Sequence, residues 1–389
     1  MPEAVAPSEI EGLRERLAEA GAAGESIEVG GAFSKRAMGG PIEAADVMIS
    51  TRNLNRLLAY EPADLTISVE AGMSYKELSA TLAANNQFLP LDPPFGDDAT
   101  VGGVLATNTS GPRRRRYGTA RDMLIGLQFA TVEGKLVKSG GMVVKNVTGL
   151  DMGKLIIGSY GTLGAMVTAN FKVFPSPEQS ATLAFVSSDV NALLELRRSI
   201  LQGILQPVAI DWLNEFAADG VGLAGGHALL VEVSGSPATV ERYRRDLTAL
   251  GPAGVSVDEI DGAVWVGVRE FAARALTTRP TGAVIRVATT ATRIGELVRT
   301  AGELSAPAVI RAGNGVAYLV FDELETARAG LARLRNDGFL AVVESGSDAV
   351  RRELELWRAP ETELGVMRRI KADFDPGNLL NRGRLFGLL

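Results

Sequence analysis

The sequence predicts an α+β protein of two domains with a helical tail, and three observations carry that prediction. Short apolar segments in the first 175 positions alternate with glycine-rich loops and short capped helices. After Pro175 and Pro177 the pattern changes to short strands and amphipathic helices in β-α-β-β-α order, and the series occurs twice. With 46% apolar residues over 389 positions, the chain can fill more than one core. The expected division is a binding domain over 1–175, an α+β domain with ferredoxin-like halves over 176–345, and a helical segment over 346–389.

In chain order, Ser8-Glu9-Ile10-Glu11 has the form of a capping box, and Ile10, Leu13 and Leu17 recur at helical spacing. Together they predict a helix from Ser8 to Ala22. Ser26 to Val29 reads as a strand that runs into Gly30-Gly31-Ala32-Phe33-Ser34-Lys35. Glycines there let backbone N–H groups turn inward as an anion-binding nest, Ser34 adds a hydroxyl donor and Lys35 a charge. An ordinary turn fits the same residues, and the spacing is neither a Walker loop nor G-x-G-x-x-G. Asp46 to Ser50 and Leu65 to Glu70 read as strands, and Ser74-Tyr75-Lys76-Glu77 as a capping box opening a helix to Asn85.

The stretch from Asp92 to Asp122 is the hardest to explain by packing. Thr100 can cap a helix whose first turn holds Gly102 and Gly103, offering unpaired N–H groups and a positive dipole end to an anion. Two loops around a short structural helix remain the plainer alternative. Thr107-Asn108-Thr109-Ser110-Gly111 follows, then four arginines, Arg113 to Arg116, and Tyr117-Gly118. A hairpin is expected from Met123 to Val132 and Leu136 to Ser139 around the two-residue signal Glu133-Gly134. Asp151 caps a short helix, and Ala165 to Phe174 closes the domain as a strand. Gly158, Gly161 and Gly164 are spaced G-x-x-G-x-x-G and do not sit between a first strand and a long helix. Close backbone approach to a flat ligand explains them better than a dinucleotide fingerprint.

In the second half, strands are expected at Leu183–Ser187, Ala209–Leu213, Ala228–Ser234, Ala283–Val287, Ala308–Arg311, Val316–Phe321 and Phe339–Glu344. Helices start from Asp189, from Ser236 with Pro237 in its first turn, from Thr292 and from Asp322. These predict one mixed sheet covered by helices. The tail reads as helical up to Asp375-Pro376-Gly377.

Composition narrows function. A net charge of −6 does not favour a nucleic-acid partner. The sequence has no cysteine, which excludes disulfides, thiolate-bound clusters and a cysteine-tethered flavin, and its single histidine, His227, rules out a histidine-pair metal site. His227, beside Gly226 at a strand start, reads as structural. The amphipathic N-terminus lacks a signal-peptide pattern, and no apolar run reaches the roughly 18 residues a spanning helix needs. The expectation is a cytoplasmic chain, without direct membrane insertion, associated with a membrane only through partners.

Four segments together, the Gly30 to Lys35 loop, ATVGGVLATNTSGPRRRRYGTARD, VVKNVTGLDMGKLIIGSYGTLG and FDPGNLLNRGR, resemble the vanillyl-alcohol oxidase / p-cresol methylhydroxylase (PCMH) family of flavoproteins. The resemblance implies a PCMH-type FAD-binding domain of two subdomains followed by a cap, with non-covalent FAD. The implied cofactor positions are Gly30, Gly31, Ala32, Phe33, Ser34, Lys35, Pro94, Thr100, Val101, Gly102, Gly103, Asn108, Ser110, Gly111, Tyr117, Gly118, Gly161, Gly164 and Val167. Lys145, Asn146 and Tyr117 are candidates to face the flavin. The chain departs from the family in lacking a histidine base and in having Val29 where many relatives place an arginine.

The resemblance further implies an FAD-binding subunit of a complex that oxidises glycolate, a small 2-hydroxy acid. A second flavoprotein subunit and an iron-sulfur subunit are the implied partners. The alternatives are a self-sufficient FAD oxidoreductase acting on another hydroxy acid, a sugar or a lactone, and a non-catalytic assembly subunit. Arg113 to Arg116 admit three uses: a solvated loop, contacts to flavin or a substrate carboxylate, or a docking surface for an acidic partner.

Overall fold

The computed structural model describes residues 3–142 and 151–389. Lys145 and Asn146 lie outside the described residues. The chain divides into two compact units, one of Met1–Ser110, Gly118–Ser176 and Leu356–Leu389, the other of Gly111–Tyr117 and Pro177–Glu355.

In the first unit, β1 (Ala4–Val5), β2 (Ile27–Gly30) and β3 (Val47–Ser50) form a parallel sheet in the order β1-β3-β2. β4 (Leu57–Glu61) and β5 (Thr66–Glu70) form a hairpin, and β6 (Gln87–Phe88) follows. β7 (Leu124–Ala130), β8 (Leu136–Gly140) and β9 (Ala165–Lys172) complete an antiparallel sheet ordered β4-β5-β9-β7-β8, while β10 (Phe174–Pro175) pairs with β6. Helix Ile10–Ala23 buries Leu13, Leu17 and Ala20 against Ile27, Ile49, Val167 and Leu380.

Two local expectations are corrected. Helix Ile10–Ala23 has Glu9 as its N-cap with no side-chain cap, so the Ser8 capping box does not form; Arg56 takes the Glu9 carboxylate instead, at 2.9 Å. The hairpin turn is longer than two residues. Ala130 pairs with Leu136, and Thr131 N–H donating to Lys135 O at 2.9 Å closes a loop in which Gly134 has φ 74°. By contrast Ser74 does cap helix Tyr75–Ala83, accepting from Glu77 N at 3.1 Å.

The second unit is built on one eight-stranded sheet. Its strands are β11 (Gln179–Ser187), β12 (Ala209–Leu213), β13 (His227–Gly235), β14 (Ser256–Ile260), β15 (Ala283–Ala288), β16 (Ala308–Arg311), β17 (Val316–Phe321) and β18 (Leu340–Gly346). The order β14-β11-β13-β12-β16-β17-β15-β18 places two ferredoxin-like halves edge to edge, each with its first and third strands central. The halves join where Trp212 and Leu213 pair with Ile310 and Val309. The sheet is not mixed as expected: every pair in it is antiparallel. Crossover helices return each chain segment past one strand, so neighbours run in opposite directions.

Candidate functional site

The Gly30–Lys35 loop and the start of helix Val101–Thr107 meet in the first unit. They line one cavity with Tyr160, Asn381 and Arg384. Their approach needs glycine, because a Cβ on Gly31 would stand 2.8 Å from Thr100 Cγ2. β2 delivers the loop, and Thr100 Oγ1 caps the helix by accepting from Gly103 N at 3.2 Å.

The first helical turn does not offer unpaired donors as expected. Val101 N–H donates to Met73 O at 2.9 Å, Gly102 N–H to Ala71 O at 2.7 Å, and Gly103 N–H to the Thr100 cap. The uncommitted donors are in the loop, where the backbone N–H groups of Gly31, Ala32, Phe33 and Ser34 have no acceptor among the described residues. Phe33 holds a left-handed φ of 55°, a conformation that costs a non-glycine residue about 1–3 kcal/mol and concentrates at ligand sites.

Arg384 fixes the loop from behind. It donates to the carbonyls of Lys35, Arg36 and Gly40, each at 3.0 Å, and to that of Met38. Asn381 joins strand to turn: its amide oxygen accepts from Val29 N at 2.7 Å, and its amide nitrogen donates to Val29 O at 3.0 Å and Tyr160 O at 2.7 Å. A side chain on Gly161 would strike that amide. The turn carrying Asn381 is held by the buried Lys371–Asp375 pair, with Lys371 donating to Thr162 O at 2.8 Å and Asp375 accepting from Leu379 N at 2.9 Å. Loop carbonyls tied down on one side and free N–H groups on the other fit a diphosphate such as that of FAD.

Of the cofactor positions expected from sequence, Gly30, Gly31, Ala32, Phe33, Ser34, Lys35, Thr100 and Gly103 line this cavity. Val101 and Gly102 are buried behind it. Asn108 ends the helix in left-handed conformation at φ 50°, and Ser110 is buried. Gly164 packs under Phe129, Val167 is core, and Pro94 and Gly118 do not line the cavity. Gly111 and Tyr117 belong to the second unit. Tyr160, Asn381 and Arg384 went unassigned in the sequence reading, although Asn381 and Arg384 lie in the terminal motif NRGR. A second polar cavity of about 460 Å³ shares Ala32, Ser34 and Thr100 with the first and extends to Arg52, Ser74 and Asp98.

In the second unit, six neighbouring strands each place one ionisable side chain in a row: Glu232, Asp211, Arg311, Tyr318, Arg286 and Glu344. Arg311 pairs with Asp211 and lies over the Tyr318 ring at 5.6 Å; Arg286 is directly opposite Tyr318 and 3.3 Å from Glu344. Glu344 is the extra residue of a bulge between the pairs Val284–Ser345 and Ile285–Val343. Burial pushes the Glu344 carboxyl and the Tyr318 phenol up, and Arg286 and Arg114 oppose the rise at Glu344.

The arginine run packs on this unit rather than forming a solvated loop. Arg113 pairs with Glu232 at 2.8 Å, and Arg115 donates to Gly313 O at 3.4 Å and Gln206 Oε1 at 3.3 Å. Arg116 alone among them is exposed. His227 is buried, accepts from Trp212 Nε1 at 3.2 Å, and is pushed down by burial, so it is a neutral packing residue.

The FAD binding domain family matches residues 2–140, and the family of FAD linked oxidases, C-terminal domain, matches residues 351–385. The chain is 25% identical to glycolate oxidase subunit GlcD of Bacillus subtilis over 89% of this chain and 80% of that one. It is 31% identical to glycolate oxidase subunit GlcE of Escherichia coli over 63% of each chain. It is 28% identical to a D-lactate dehydrogenase of Archaeoglobus fulgidus over 87% of this chain and 81% of that one. The fold is that of p-cresol methylhydroxylase, which superposes with a TM-score of 0.75 at 15% identity over 99% of this chain and 88% of that one. The chain is therefore an FAD-dependent oxidoreductase with a PCMH-type fold. It carries an FAD-binding domain and an FAD-linked oxidase C-terminal domain.

Proposed function

We propose that this chain is the FAD-binding subunit, akin to GlcE, of a complex that oxidises a small 2-hydroxy acid, glycolate to glyoxylate, and hands the electrons to an iron-sulfur subunit. The observation that carries the reading is the nest of four uncommitted N–H groups, Gly31 to Ser34, facing the Thr100 cap and braced by Arg384. That arrangement suits the diphosphate of FAD, held without a covalent bond. Bound FAD supplies the hydride acceptor; the chain's own residues bind and orient it. The hydroxy-acid class is supported by the glycolate oxidase and D-lactate dehydrogenase relatives. The partner is supported by the absence of cysteine, since a cysteine-ligated cluster must reside on another chain.

The test is anaerobic addition of glycolate, and separately of D-lactate, to the FAD-loaded chain alone and with its co-purified partners. Bleaching of the flavin absorbance by either acid is expected, faster with partners present. A flavin that stays oxidised with every hydroxy acid, with and without partners, would leave the non-catalytic alternative.

A further inference from the structure

In the first unit, helix Met152–Ile156, the turn after it, helix Glu361–Phe374 and the tail together line a cavity of about 450 Å³. It shares no lining residue with the diphosphate cavity. The two nevertheless use the same chain segments, because Ser159 and Leu385 in this wall are the chain neighbours of Tyr160 and Arg384 in the other. Hydroxy-acid oxidation does not require this second cavity, and its lining has a chemistry of its own.

The wall is mainly apolar. Leu155, Ile157 and Leu163 line it from one segment, Met367, Ile370 and Leu385 from the other, and Leu155, Met367 and Ile370 are only half-buried. Apolar surface left open in a cavity of ligand size is stabilised by an apolar body that covers it, in proportion to the area removed from water.

Two polar features select the rest of the ligand. Ser159 lines the cavity and is 6% exposed. Its N–H donates to Ile156 O at 3.2 Å, and its carbonyl accepts from Thr162 N at 3.0 Å and Thr162 Oγ1 at 2.7 Å. Its hydroxyl is buried with no hydrogen-bond partner among the described residues. A buried hydroxyl left unpaired is unfavourable, and an acceptor on a bound molecule would relieve it. The second feature is charge. Of the ionisable groups in the lining, Lys154 and Asp151 pair with each other at 3.1 Å, whereas Arg121 makes no hydrogen bond or ion pair among the described residues.

We propose that this cavity binds an apolar-bodied monocarboxylate, whose charge Arg121 balances and whose oxygen accepts from the Ser159 hydroxyl. Apolar wall, unpaired hydroxyl and uncommitted guanidinium are the three complements such a molecule needs.

The experiment is calorimetric titration of the FAD-loaded full chain with octanoate, with butyrate and octylammonium as the short and the charge-reversed counterparts. Octanoate should bind one to one and leave FAD in place. Butyrate should bind roughly tenfold weaker or worse because its chain covers less of the wall, and octylammonium likewise because its charge meets Arg121. Ser159→Ala should keep the wild-type melting temperature, since its hydroxyl has no partner to lose, yet weaken octanoate several-fold. Arg121→Glu should weaken octanoate roughly tenfold or more, while the exposed control Lys138→Glu matches wild type. The assignment would be overturned by a wild type that does not bind octanoate, by octylammonium binding as tightly as octanoate, or by one octanoate affinity shared by wild type, Ser159→Ala and Arg121→Glu. Release of FAD by octanoate would overturn it too, by making the cavity part of the cofactor's own seat.

Discussion

Gly103 and Glu344 show what a single residue decides in each unit. A Cβ on Gly103 would meet only Thr100 Oγ1, at 3.2 Å, and otherwise point into the cavity that Gly31 to Ser34 line. Gly103→Val should therefore fold, with the normal melting profile of the apoprotein, and retain little or no FAD when flavin is measured per polypeptide. Full FAD content in the folded variant would move the diphosphate elsewhere. Glu344 works through its proton. Burial raises its folded pKa above that of the unfolded chain, so the folded state holds the proton more tightly. Its contribution to stability is complete below the ordinary carboxylate range and is lost as pH rises through the folded value. Glu344→Gln should raise the melting temperature at neutral pH and show a shrinking advantage in acid, read from melting curves across the pH range. A constant difference at all pH values would argue against a raised folded pKa.

At the scale of elements, the cradle depends on residues some 350 positions apart in sequence. Asn381 closes three hydrogen bonds to Val29 and Tyr160, so Asn381→Ala should cost about 1–3 kcal/mol for the buried groups left unpaired, and should weaken FAD retention more than a surface change of equal stability cost. Denaturant titration and flavin content together check it. The loop, the Thr100 cap and the Ser236 cap were legible in sequence because glycine and short polar caps leave a local signature. The brace was not, since nothing local ties Arg384 to the carbonyls of Lys35 to Gly40. The ferredoxin-like halves were legible from strand and helix order, yet β14 was missed because its exposed edge residues do not alternate, as was β4, whose Leu57 and Leu58 are both exposed. The fully antiparallel merger was also beyond local pattern, because it rests on a two-residue contact between β12 and β16.

For the whole molecule, the question is how FAD is retained and where its electrons go. Neither cysteine nor a histidine placed at the cradle is available as a tether, His227 being buried against Trp212 in the other unit. Acid precipitation of the holoprotein should leave all flavin in the supernatant; flavin on the pellet would require an unusual tether. In the proposed complex onward transfer leaves the chain for a partner, and a docking surface made of Arg113 to Arg116 is the natural first thought from sequence. The structure changes what reversal of those charges should do. Arg113→Glu would set a carboxylate against Glu232, whose side chain is 5% exposed, and Arg115→Glu would lose the bonds to Gly313 and Gln206, so both should destabilise the second unit. Arg116→Glu changes an exposed charge and should leave the fold intact. If a basic patch steers an acidic partner, Arg116→Glu should slow assembly most at low salt while Arg113→Glu lowers the melting temperature of the chain by itself. Association kinetics at two salt concentrations, beside melting curves of the unassembled variants, separate the two effects; an Arg113→Glu chain as stable as wild type that still fails to assemble would restore Arg113 to the docking surface.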